Sequence, residues 1–122
     1  MAKVKKTVIS MPKSEKIFKL EIKGHNSDNR ICAGISMLAY TFLQSLYDCR
    51  LKIKVEDKDG YMLIAFTKKE LKANAHAVDI LKYIEFVKRG FGLLKEAYPE
   101  NIEILPNYSG FKVAKNKGVL HL

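Results

Sequence analysis

Residues 17–38 read IFKLEIKGHNSDNRICAGISML, and the hydrophobic period changes once inside them. Phe18, Leu20 and Ile22 alternate with Ile17, Lys19, Glu21 and Lys23. A period of two predicts a strand with one buried face. Gly24 ends the run, and NSDN (26–29) is loop and helix-capping chemistry. From Ile31 the apolar residues fall at helical spacing: Ile31, Ile35, Leu38, Phe42 and Leu46, with small Ala33, Gly34 and Ala39 between them. This predicts a helix ending near Asp48.

Upstream, Val4–Ile9 is β-rich and is separated from the alternating run by the polar turn MPKSEK, which predicts a hairpin. Downstream, Leu51–Val55 and Tyr61–Phe66 read as strands joined by DKDG, a hairpin-turn signal. A second long helix is expected from about Ala75 to Tyr98, with the stripe Val78, Leu81, Ile84, Val87, Phe91 and Leu94. Gly90 and Gly92 weaken it by about 1 kcal/mol each relative to Ala, and Pro99 stops it. Ile102–Leu105 reads as a short final strand. The order predicts an α+β fold: an antiparallel or mixed sheet built from two hairpins plus a final strand, with two helices packed on one face. Residues 1–105 are expected to form one domain, and 106–122 a basic C-terminal tail.

The 122 residues are 48% hydrophobic and 29% charged, an ordinary globular mixture. No apolar run approaches the roughly 18 residues needed to span a bilayer, and no secretory leader pattern follows the basic start, so a cytoplasmic location without membrane contact is expected. Cys32 and Cys49 fall on one expected helix, about 25 Å apart at 1.5 Å per residue, beyond disulfide reach. Free thiols fit a reducing compartment. The net charge is +9. The first 30 residues carry eight Lys or Arg against three acids. That balance fits an acidic partner such as RNA or a ribosomal particle, and equally a solubilising surface.

The chemistry concentrates at His25 and Cys32. A cysteine in the first turn of a helix is favoured as thiolate by the helix dipole. A histidine at the end of the preceding strand can serve as its base. The backbone N–H groups of Cys32 and Ala33 are candidate oxyanion donors. The residues alone leave a second reading open, in which Cys32 packs in the core and His25 is a turn residue. Cys49, at a helix C-terminus beside Asp48, reads as inert. His76 and His121 have no cysteine near them in sequence, and the three histidines and two cysteines lack metal-ligand spacing, so no metal is expected. Asp57, Asp59 and Gly60 read as a β-turn rather than a calcium loop, and Glu85 and Glu96 as solvated.

The stretch KGHNSDNRICAGISML resembles the signature of the ribosomal-processing cysteine protease family, Prp. Gly24-His25 and Cys32-Ala33-Gly34-Ile35-Ser36 match it, and the element order around them is similar from about Val4 to Leu105. The resemblance implies His25 as general base, Cys32 as nucleophile and Ser36 as a supporting hydroxyl one turn along. It implies a protein or peptide substrate, as in removal of the N-terminal extension of a large-subunit ribosomal protein. It also implies a homodimer, and no metal or cofactor. The loop between His25 and Cys32, with Gly24, Asn26 and Ser27 as its gating residues, is shorter than the family's. The family's Asp three residues before the cysteine is Asn29 here, with Asp28 adjacent. The alternative function is a non-catalytic basic module that holds rRNA, a ribosomal protein or a phage structural protein. A redox-sensing thiol is a third reading, opposed by the lack of a nearby resolving cysteine.

Overall fold

The computed structural model describes residues 6–106. The elements are β1 (Thr7–Ser10), β2 (Ile17–Lys23), α1 (Asn29–Asp48), β3 (Lys54–Lys58), β4 (Tyr61–Thr67), α2 (Lys68–Ala73), α3 (Ala77–Ala97) and β5 (Ile102–Leu105). The expected C-terminal tail beyond its first residue, His121 included, and the first two residues of the expected first strand lie outside the described residues.

The five strands form one mixed sheet in the order β3-β4-β2-β1-β5. The hairpins β1–β2 and β3–β4 are joined in the middle by antiparallel β2–β4 pairing, and β5 runs parallel to β1. Register follows the alternation of β2. Phe18, Leu20 and Ile22 stand opposite Phe66, Ile64 and Met62, and Ile9 stands opposite Ile22 and Ile104. These residues build the core with α1 and α3. Lys19, Glu21 and Lys23 point to the other face, where Glu21 contacts both lysines.

Helix α1 presents Ile31, Ile35, Ala39, Phe42 and Leu46 to the core, and α3 presents Ile80, Ile84, Val87 and Phe91. The helices approach closely at two glycines. A Cβ on Gly90 would lie 2.5 Å from Leu38 Cδ2, and one on Gly34 would lie 3.2 Å from Leu94 Cδ2. Gly90, which weakens α3 as an isolated helix, therefore makes room for its partner, and Gly34 does so from α1.

Three sequence expectations are corrected. The strand expected over Leu51–Val55 is Lys54–Lys58. Only Asp59 and Gly60 form the turn, so Lys58 pairs directly with Tyr61, and the turn sets the register. Leu51 is buried before the strand begins. The short helix α2 is an element that the apolar pattern does not predict. Its cap is the Thr67 hydroxyl, which accepts from the Glu70 N–H at 3.1 Å, the Thr-x-x-Glu pattern of a helix start. Asn74 then breaks the chain before α3 by accepting from the His76 N–H and donating to the Cys49 carbonyl. Finally, Val78 and Leu81, expected in the buried stripe of α3, are exposed, and Ile80 is buried instead. Ile80, Ile84, Val87 and Phe91 make the tighter helical stripe. No helix among the described residues is long and apolar enough to cross a membrane.

Candidate active site

His25 follows directly on β2, and Gly24 determines how the chain leaves that strand. Gly24 has φ +94°, a region that L side chains avoid. Its N–H donates to the Gly60 carbonyl at 2.9 Å, which ties the end of β2 to the β3–β4 turn. The imidazole lies over Gly60, where a Cβ would fall 3.0 Å from Nε2. Nε2 is 3.1 Å from Asp59 Oδ1.

Cys32 lies in the first turn of α1, as the helical spacing predicts. Asp28 caps the helix by accepting from the Arg30 N–H at 2.8 Å. The Arg30 side chain closes over the same carboxylate at 2.9 Å, and it holds Asp28 below the usual carboxylate range. The Asp28 backbone carbonyl accepts the N–H groups of Ile31 and Cys32 at 3.1 and 3.2 Å. The Cys32 N–H is thus committed to its helix in this conformation. The half-buried thiol donates to the Asn26 carbonyl at 3.4 Å.

Asn26, expected on a gating loop, is buried. Its amide donates to the Asn101 carbonyl at 2.9 Å, and its oxygen accepts from the Asp28 N–H at 3.2 Å and from the Asn101 amide at 3.4 Å. The same Asn101 carbonyl accepts the Thr7 N–H. The short loop is therefore clamped to the entrance of β5. Ser27 and Asn29 are exposed.

His25, Cys32 and Ser36 line one cleft of about 180 Å³, floored by Ile22, Ile35 and Met62. Tyr40, two turns beyond Cys32, donates to Asp57 Oδ2 at 2.6 Å across one end of it. This bond and burial push the Tyr40 phenol up. Among the described residues no hydrogen bond joins His25 to Cys32, and neither Asp28 nor Asn29 bonds to His25. Cys49 is buried, and burial, with Asp79 and Asp48 adding, pushes its thiol up. Among the described residues no group of three or more His, Cys, Asp or Glu is placed to hold a metal ion.

Sequence reasoning misses Asp59, Asn101 and Tyr40 as neighbours of the site. A DG pair at a hairpin tip is visible, but nothing local says that this tip lies against the end of β2.

No protein-family model matches the sequence, and no curated protein matches it. Solved structures do match. SMU.848 from Streptococcus mutans is 21% identical with a TM-score of 0.60, over 83% of this chain and 91% of that one. The essential ribosomal processing protease Prp from S. aureus, in complex with a covalently linked product peptide, is 16% identical with a TM-score of 0.62, over 82% and 96%. The same protease with a substrate peptide is 14% identical with a TM-score of 0.63, over 82% and 96%. At these identities the likeness establishes a shared fold: this chain has the α+β architecture of the Prp ribosomal processing protease.

Proposed function

We propose that the chain is a cysteine endopeptidase with Cys32 as nucleophile and His25 as general base. The observation that carries this reading is that both side chains line one cleft, with Cys32 in the first turn of α1. The protease fold, solved with peptides on a neighbour, supports it. In the reaction the Cys32 proton passes to His25 and the sulfur attacks the scissile carbonyl. The C–N bond breaks as His25 returns the proton to the departing amine. Water then hydrolyses the thioester and restores the thiol.

The resting geometry must rearrange for this. The thiol has to leave the Asn26 carbonyl, and an oxyanion held by the Cys32 N–H has to displace the Asp28 carbonyl. Such bonds often tighten only when substrate is bound. Ser36, one turn from Cys32 on the same cleft, is the supporting hydroxyl in this reading. The finer reading is trimming of a ribosomal protein precursor, in keeping with the ribosomal-processing name of the S. aureus neighbour, and it includes a cytoplasmic homodimer. Site-resolved alkylation across pH 5 to 9, with peptide hydrolysis by wild type, Cys32→Ala and His25→Ala, tests the proposal. Cys32 that reacts below the range of a free thiol, and loses this in His25→Ala, supports it. Cys32 that reacts independently of His25 sinks it.

One observation favours a basic binding module as the second reading. Lys13, Lys68 and Lys88, with a single acid, Glu15, line a groove of about 510 Å³ whose lining does not include His25 or Cys32. RNA binding there would weaken steeply with added salt, and charge reversal at Lys13 and Lys68 would reduce it.

A further inference from the structure

We infer that Asp59 is the positioning residue for His25: it holds the ring through Nε2 and leaves Nδ1 as the nitrogen that takes the Cys32 proton. The inference rests on the dyad reading above, and its test separates the two.

A neutral imidazole carries one proton. A carboxylate oxygen is only an acceptor, so a ring nitrogen 3.1 Å from Asp59 Oδ1 is favoured in its protonated form. With the proton on Nε2, the lone pair is on Nδ1. Backbone hydrogen bonds tie together the frame beneath the contact. Pairing of Lys23 with Tyr61 places the end of β2 beside the start of β4, and the Gly24 N–H joins the two loops through the Gly60 carbonyl at 2.9 Å. Gly60, with φ +72°, gives the ring a flat seat that a side chain would fill.

The other carboxylates near the site are engaged elsewhere. Asp28 is held by Arg30, and Asp57 accepts from Tyr40. Asp59 itself is 96% exposed and His25 56% exposed, so an isolated contact of this kind is weak. Its effect is expected to be about 2- to 5-fold, the range of an exposed pair, rather than the far larger losses seen on removing a buried triad carboxylate.

The test is nitrogen NMR of the His25 ring together with Cys32 alkylation rates at pH 7. In wild type the neutral ring is expected to carry its proton on Nε2. Asp59→Ala should move it toward a mixture of tautomers and slow alkylation about 2- to 5-fold. Asp59→Asn, which keeps an acceptor, should fall between, and Asp59→Glu should recover most of the rate. An unchanged ring signature in Asp59→Ala overturns the inference. If His25→Ala leaves Cys32 alkylation unaltered, the dyad reading falls, and with it the positioning role, even where the ring signature still responds to Asp59.

Discussion

Gly24→Ala probes the junction on which the site is hung. Two costs arise. An L side chain at φ +94° is strained by about 1–2 kcal/mol. The new Cβ would also lie 2.8 Å from the Lys6 carbonyl oxygen. That oxygen belongs to the backbone and cannot rotate away, so forcing in the methyl adds about 1–3 kcal/mol. The sum is about 2–5 kcal/mol, a large share of the roughly 5–15 kcal/mol that holds a domain together. At about 4 °C per kcal/mol, the melting temperature should fall by about 8–20 °C. Differential scanning calorimetry measures this, with Gly34→Ala as the comparison. There the Cβ meets the Leu94 side chain, nearest at Cδ2 at 3.2 Å, a movable side-chain end. The helix also gains about 1 kcal/mol from losing a glycine. That variant should stay within about 1 kcal/mol of wild type. A Gly24→Ala protein that melts within about 2 °C of wild type would refute the backbone geometry given for the end of β2.

Three further outcomes are expected. In native protein at neutral pH, iodoacetamide should label Cys32 and spare Cys49, because Cys49 is buried and its thiol is pushed up by that burial. Labelling of both at equal rates by peptide mass spectrometry would contradict the burial pattern. Asn26→Ala removes the 2.9 Å bond to the Asn101 carbonyl and should cost about 1–2 kcal/mol in urea unfolding. Asn101→Ala, which loses only a 3.4 Å contact and keeps its carbonyl, should cost less. Glu21 is held below its usual 4.5 chiefly by the Tyr61 hydroxyl, whose own ionisation is pushed up to about 12. A carboxyl lowered by folding contributes stability above its unfolded value and loses it as pH falls through the folded one. The melting difference between wild type and Tyr61→Phe should therefore narrow on going from pH 7 to pH 3, and a gap that widens in acid would reverse the assignment.

Where local pattern and tertiary burial agree, the elements are legible in the amino-acid order. The alternation at Phe18, Leu20 and Ile22 and the spacing of Ile31, Ile35 and Phe42 each specify one face. Lys54–Lys58 is displaced from its expected position because Leu51, Ile53 and Val55 also alternate. The strand begins later, where pairing set by the Asp59-Gly60 turn brings it beside β4. Val78 and Leu81 mislead because two overlapping helical stripes run through the start of α3, and contact with α1 and the sheet selects the one through Ile80. At the site, His25 and Cys32 can be nominated because they flank one loop. Asp59 arrives through β2–β4 pairing and Asn101 through β1–β5 pairing, and such long-range registers leave no local mark.

The clamp between Asn26 and Asn101 bridges 75 positions of chain. The carbonyl that receives the Cys32 thiol belongs to Asn26, so the resting arrangement of the nucleophile waits on the last strand to dock. A nascent chain still lacking β5 would have β2, α1 and the thiol, but not the Asn101 contacts that fasten the loop between His25 and Cys32 to the sheet. Assembly of the cleft is thereby linked to completion of the domain. A domain built this way closes its resting cleft only once β5 is in place.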